Sequence, residues 1–400
     1  MGDADTSAVD TYLELGLRLG RHLEGLVDAY YGPPALARRV AAEPPRPLPA
    51  LVSDARRLIA DLDAGAEPSL SPPRRAWLRA QTVGLETSAR KLGGEAIPYA
   101  AEVEACYGVT PRRVPEEEIT AAHRQLDQAL PGTGALAPRM IAWREAQTVP
   151  PDRLEAAVRS LAEDFRESTR RLFGLPDGEQ VEWVLEHDKP WAGFNYYQGE
   201  LRSRVAINTD LPIPSSALAH VVAHEAYPGH HTEHTRKEVG LVRRQRHTEE
   251  TIFLVGTPQC LLAEGLADLG LEVLLGERPE PVLAEHFGPL GIPYDAEVVA
   301  AVSSASETLG AVRGHVALLL HDDGVDPEGA VAAFERWGLL PRDRAVKAVQ
   351  FLTDPTWRAY ISCYVEGLPL CRRFVAGDPA RFERLLSEPL TPADLTASAA

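Results

Sequence analysis

Apolar residues recur at helical spacing along most of the chain. Between Ser7 and Tyr30 they fall at Val9, Leu13, Leu17, Leu23, Leu26 and Val27, behind a serine able to cap a helix, and the segment predicts one amphipathic helix. Proline-rich interruptions at Glu43–Pro49, Ser69–Pro73, Pro131–Pro138 and Pro150–Pro151 separate further helical stretches. Asp152 to Phe173 predicts a long amphipathic helix stopped by Gly174 and Pro176. The period changes between Gln180 and Leu211. Val181, Trp183 and Leu185 alternate with acidic residues, and Phe194, Tyr196, Tyr197, Val205 and Ile207 follow, which predicts two or three short strands. Helical spacing resumes at Ser215, a candidate cap for Ala217–Ala226. Glu249 to Leu386 reads as helix, with breaks near Gly288–Pro293, Gly324–Pro327 and Leu340–Pro341. The expected architecture is mainly α: one large helical unit in three stretches, a helical N-terminal part (1–175), a small β-sheet bordering a cleft (176–212) and a helical part holding the chemistry (213–400).

Composition narrows the function. With 44% hydrophobic and 25% charged residues the chain is an ordinary globular one. Its 58 acidic against 41 basic residues give a net charge of −17, which opposes nucleic acid and anionic lipid as partners. No run approaches the ~18 apolar residues of a membrane span. The four cysteines, Cys106, Cys260, Cys363 and Cys371, form no C-x-x-C pair and fit reduced thiols. The first seven residues lack the basic start and apolar core of a signal peptide, so the expected location is cytoplasmic.

Five of the 12 histidines fall between His220 and His234. A catalytic zinc takes three protein ligands and leaves a position for water. In a regular H-E-x-x-H helix the two histidines lie four apart, yet here the residue four after His224 is Pro228. Pro228 and Gly229 predict a break. A bulge absorbing two residues brings His230 to His224; a helix running on regularly brings His231 there instead. A third geometry pairs His220 with His224 and places Glu225 just after the second ligand. The third ligand is expected at Glu264, an acid set among Leu261, Leu262, Leu266 and Leu269, where burial is costly unless a cation holds it. Asp268, one turn on, is placed to accept the second nitrogen of a ligand histidine. Two imidazoles and a carboxylate suit zinc, with cobalt, manganese and iron as the other ions such a set accepts.

The run His224-Glu225-Ala226-Tyr227-Pro228-Gly229-His230-His231 resembles the H-E-x-x-P-G-H-H signature of a large bacterial family long catalogued as a domain of unknown function. Its members look like zinc peptidases with the mostly helical fold of the Taq-type thermostable carboxypeptidases. The phrase Leu26-Val27-Asp28-Ala29-Tyr30-Tyr31-Gly32-Pro33-Pro34 resembles one branch of the same family, so the likeness spans most of the chain. The resemblance implies a gluzincin-like hydrolase in a zincin-like helical fold, with His224, His230 and Glu264 on the metal and Glu225 as base. Relatives commonly carry an aromatic after the Glu-Gly pair, where this chain has Leu266.

An oxyanion formed during amide hydrolysis needs a donor besides the metal, and a protonated tyrosine supplies one. Tyr364 is the first candidate, with Tyr360 one turn before it, and Tyr196 and Tyr197 on the expected sheet as substrate contacts. The basic run Arg236, Lys237, Arg243, Arg244 and Arg246 reads first as a solvated helix face and second as a partner for a substrate carboxylate, a role that Arg358 and Arg372 offer separately. Glu116–Glu118 read as the first turn of a helix. No G-x-S-x-G, P-loop or dinucleotide fingerprint occurs. The expected function is a zinc-dependent hydrolase of amide bonds, a peptidase or carboxypeptidase on short peptides. The alternatives are a metal enzyme acting on a small non-peptide metabolite and a non-catalytic metal-binding scaffold.

Overall fold

The computed structural model describes residues 7–399 apart from 190, 211 and 356. The start of the chain, where no leader is expected, and position 211, the expected end of the sheet region, lie outside the described residues. The N-terminal part runs α1 (Ala8–Gly20), β1 (Val27–Tyr30), α2 (Pro34–Ala42), α3 (Leu48–Ala64), α4 (Pro72–Leu92), α5 (Tyr99–Tyr107), α6 (Glu116–Ala129), α7 (Leu136–Ala146) and α8 (Pro151–Phe173). Next come β2 (Gln180–Glu186), β3 (Gly193–Gly199) and β4 (Arg202–Asn208), then α9 (Ser215–Glu225), α10 (His230–Lys237) and β5 (Ile252–Leu254). The remainder is α11 (Pro258–Leu275), α12 (Glu280–Phe287), α13 (Ala296–His321), α14 (Pro327–Trp337), α15 (Arg342–Thr353), α16 (Ile361–Val375), α17 (Pro379–Ser387) and α18 (Pro392–Ala399).

The mainly helical expectation holds, and helices stop or start at every proline-rich break. Two strands were not expected. The predicted first helix ends at Gly20, although Ser7 does cap it by accepting from the Asp10 amide at 3.1 Å. The chain then turns through Gly25, whose φ of 81° suits glycine, and continues as β1. β1 pairs antiparallel with β5, Val27 opposite Leu254 and Tyr30 opposite Ile252. The second sheet has the order β2-β4-β3, with β2 parallel and β3 antiparallel to the buried central strand β4. Ser215 is the first residue of α9 and not its cap; its hydroxyl donates to the Pro293 carbonyl at 2.7 Å.

Three apolar clusters flank the middle of the chain. One joins α1, α3 and α4 to Ile252 and Leu254 of β5. Another packs α8 against Leu218, Ala219, Val222 and Ala223 of α9. The largest gathers Leu261, Leu262, Ala263 and Leu266 of α11 with α13 to α16. Helices α9 and α11 therefore each bury one face in a separate cluster, and their polar residues meet between them.

Candidate metal centre

His224 stands in the last turn of α9 and Glu225 is its final residue. The helix stops at Ala226 (φ −127°, ψ −75°), the Tyr227–Pro228 peptide is cis, and a new helix opens at His230. Pro228 has no N–H for the His224 carbonyl. Gly229 passes so close to that carbonyl oxygen that any side chain would collide with it. The Gly229 amide donates to Ala223 O at 3.0 Å, and the Thr232 amide and hydroxyl both donate to Ala226 O at 3.2 and 2.9 Å. These bonds fix α10 against α9. As a result the Nε2 atoms of His224 and His230 face one another at 3.1 Å.

The third member comes from α11. A Cβ on Gly265 would lie 2.5 Å from the Gly367 carbonyl carbon and oxygen, so α11 and α16 touch backbone to backbone. That contact aims Glu264 at the histidines and brings the start of α16 beside it. Glu264 is 6% exposed; its Oε2 is 3.4 Å from His224 Nε2 and its Oε1 3.8 Å from His230 Nε2. Oε1 accepts from the Tyr360 hydroxyl at 3.0 Å, to which Tyr364 donates at 3.4 Å, whereas Oε2 is buried with no hydrogen-bond partner. Ligands held tetrahedrally at ~2.0–2.1 Å from one zinc lie ~3.4 Å apart. The spacing and chemistry of His224, His230 and Glu264 fit such an ion. Asp268 contacts His224 Nδ1 at 2.9 Å and His220 Nε2 at 3.2 Å. His220, His224 and Asp268 thus form a second compact group, but one whose His224 nitrogen is already taken up by Asp268.

Glu225 is 8% exposed, and no described residue hydrogen-bonds or ion-pairs with its carboxylate. Its backbone carbonyl accepts from Asn195 Nδ2 at 2.6 Å, which ties edge strand β3 to the end of α9. Burial pushes the Glu225 carboxyl up to about 7; the His224 charge opposes this, and Glu264, Asp28 and Asp268 add to it. Burial disfavours a charged His224, yet Asp268 and Glu264 outweigh that and hold its pKa well above the usual value. Burial and the neighbouring His224 push His230 down to about 4. Asp268 stays well below the carboxylate range despite burial, because His220 and His224 bond to it.

No family model matches the chain, and no curated protein matches it in sequence. Solved structures do resemble it. A candidate lipoprotein from Colwellia psychrerythraea is 16% identical, with 88% of this chain and 69% of that one aligned at a TM-score of 0.54. The M32 carboxypeptidase of Deinococcus radiodurans R1 is 13% identical over 98% of this chain and 94% of its own, at a TM-score of 0.46. Metallocarboxypeptidase 1 of Trypanosoma cruzi is 15% identical over 98% and 96%, at 0.49. The first of these likenesses is one of fold.

Several sequence candidates lie elsewhere. His231, the alternative ligand, is fully buried and points the other way. Its Nδ1 meets Ser203 Oγ at 2.8 Å and its Nε2 meets Glu179 Oε2 at 3.0 Å, a carboxylate also bonded by Tyr227 (2.7 Å) and Arg166 (2.7 Å). The restart of the helix at His230 turns its successor by about 100°, out of the centre. Tyr197 is committed to Glu238 and stacked on His234 at 4.5 Å, while Tyr196 faces the opposite side of β3 against Phe194 and Arg204. Arg358 pairs with buried Glu102 at 2.7 Å and with the Ile97 carbonyl, so it is a structural cation. Arg236 binds the Phe173 carbonyl and Glu383, Lys237 binds Glu233, Arg243 binds Glu238, and Arg372 binds Glu272 and Glu307. Between the two C-terminal tyrosines, Tyr360 is the one in contact with Glu264; Tyr364, 39% exposed, stands a step further out. A hollow of about 580 Å³ beside β1, lined by Tyr30, Tyr31, Arg38, Glu200 and Arg243 among others, includes none of the centre's residues.

Sequence reasoning missed Asp28 and Asn195. Asp28, in β1, is pushed up to about 7 by burial and by the charge of Glu264. The criterion that selected Glu264, an acid inside an apolar segment, applies equally to Asp28 between Val27 and Ala29.

Proposed function

We propose that the chain is a metal-dependent hydrolase of amide bonds in short peptides, with His224, His230 and Glu264 as the ligands. Zinc is the ion that two imidazoles and one carboxylate suit best. When bound, it supplies a Lewis acid that polarises a carbonyl and lowers the pKa of water. Glu225, whose carboxylate has no partner among the described residues, takes the proton of the attacking water and returns it to the leaving nitrogen. Asp268 fixes the ring of His224. Tyr360 gives its one hydroxyl proton to Glu264, and the Tyr364 hydroxyl, whose contact to Tyr360 is long at 3.4 Å, is the donor available to a developing oxyanion.

The observation that carries this reading is the convergence of the His224 and His230 Nε2 atoms at 3.1 Å with Glu264 Oε2, 3.4 Å from the first and without a hydrogen-bond partner among the described residues. Elemental analysis of the purified protein and of His224→Ala, His230→Ala and Glu264→Ala, alongside turnover of di- and tripeptides, tests it. One equivalent of metal in the parent, lost in each variant, is the expected result. A parent that binds no zinc, or a Glu225→Gln variant that turns peptides over normally, removes the reading.

A further inference from the structure

Helix α9 ends on a carbonyl that its own coil cannot satisfy. The last carbonyls of a helix lack an amide one turn on. The amide that would reach Glu225 O, on Gly229, donates to Ala223 O at 3.0 Å instead. Among the described residues no backbone amide bonds Glu225 O; the Asn195 side chain does, from β3, with its Nδ2 at 2.6 Å. The Glu225 carboxylate has no partner among the described residues, so this bond is the one that ties the residue to a second element.

Gly193, two residues before Asn195 and on the same face of β3, lies against the side chain of the same glutamate. A Cβ there would stand 3.2 Å from both Glu225 Cγ and Glu225 Oε1, and 2.6 Å from Val221 Cγ1 one turn earlier on α9. The strand is thus laid along the carboxylate at a distance that leaves no room for a side chain. Its register is set by the central strand, where Gly193 pairs with Ile207 and Asn195 with Val205, both buried. A slip of one residue would turn Gly193 and Asn195 away from α9. Asn195 is 7% exposed, and its Oδ1 is buried with no hydrogen-bond partner among the described residues. An apolar side chain would avoid that penalty. What the amide gives in exchange is its bond to Glu225.

We propose that Asn195 and Gly193 are positioning residues for the general base, the first fixing the backbone of Glu225 and the second leaving its carboxylate room to reach the attacking water. The proposal rests on the hydrolase reading above. A base acts only within hydrogen-bond reach of its proton, about 2.6–3.2 Å, and a misplacement of ~1 Å costs about 100-fold in rate. The Asn195 bond and the Gly193 contact both go to Glu225, and neither goes to His224, His230 or Glu264. Base and ligands are therefore held by different elements.

The test uses zinc-loaded Asn195→Ala and Gly193→Ala with trialanine as substrate, and zinc affinity by competition with a chelator. Asn195→Ala is expected to lower kcat roughly 10–100-fold while KM and zinc affinity stay near those of the parent. Gly193 has no left-handed φ, so alanine fits its backbone and presses only on Glu225 and Val221. Gly193→Ala should lower kcat by about tenfold, again with zinc retained, and it decides the matter should Asn195→Ala not fold. In a Glu225→Gln background neither change should move the residual rate by more than about twofold, because no base is left to position. Full kcat in both variants overturns the proposal and leaves the hydrolase standing. An equal fall in rate with and without Glu225, or loss of zinc together with rate, also overturns it, since β3 would then support α9 as a whole. A parent that binds zinc but cleaves no peptide removes the hydrolase and this proposal with it.

Discussion

His230 and His231 are neighbours in the chain and belong to opposite kinds of buried polar cluster. Around His231 every group is matched: both ring nitrogens, both Glu179 oxygens, the Tyr227 hydroxyl and Arg166 all find protein partners. Around His230 the groups face one another unmatched, two imidazole nitrogens 3.1 Å apart and a buried carboxylate oxygen with no donor among the described residues. A closed network spends its hydrogen bonds on the fold; an open one is completed only by something from outside. The pair at the heart of the closed network, His231 and Glu179, is fully buried and the open cluster nearly so, and the difference in residue type is small; what separates them is what is left over.

The contrast can be broken from either side. The largest effect is expected on turnover: Glu225→Gln lowers kcat by roughly 10²–10⁴-fold, the usual worth of a general base, with metal content unchanged by elemental analysis. A comparable cost in a different quantity comes from the closed network. Glu179→Ala strands His231 and Arg166 and lowers unfolding free energy by about 3–5 kcal/mol in urea titrations, while zinc stoichiometry stays at that of the parent. If instead Glu179→Ala released the metal and left stability intact, the two clusters would not be separate. A smaller effect is expected from Asp268→Asn, which weakens zinc about 10–100-fold in competition with a chelator, because the His224 ring loses its support.

The smallest effect sharpens the contrast with an intermediate case. Glu250 is buried beside Gln259, which donates to its Oε2 at 3.1 Å, and its Oε1 has no partner. Burial raises its pKa from 4.5 to about 7, with Lys237 opposing. The folded state thus holds this proton more tightly than the unfolded chain, so stability is full below pH about 4.5 and declines as pH rises through about 7. Glu250→Gln should flatten that part of the melting temperature against pH; a curve as steep as the parent's would exclude Glu250 as its source.

Much of the architecture was legible because its signals are local. Prolines follow the ends of α2 and α6 and stand in the first turns of α3, α4, α8 and α14, and period-two alternation marked β2 to β4. Strands β1 and β5 were not legible, since each exists through a partner more than 200 residues away and their apolar runs read equally well as helix. The Pro-Gly step announced a break, and that was enough to bring His230 forward as a candidate. The fates of Tyr197, Arg358 and His231 depend on Glu238, Glu102 and Glu179, whose nearness no spacing rule reveals.

The break after Glu225 also has a consequence for the order of residues downstream. Two extra residues inside a continuous helix would rotate everything beyond them by about 200°. Here a fresh helical axis begins at His230, so the orientation of that ring is set by where α10 docks and not by counting from His224. Insertions at such a joint are absorbed by the joint itself, and two imidazoles can stay face to face across a spacing that no unbroken coil permits.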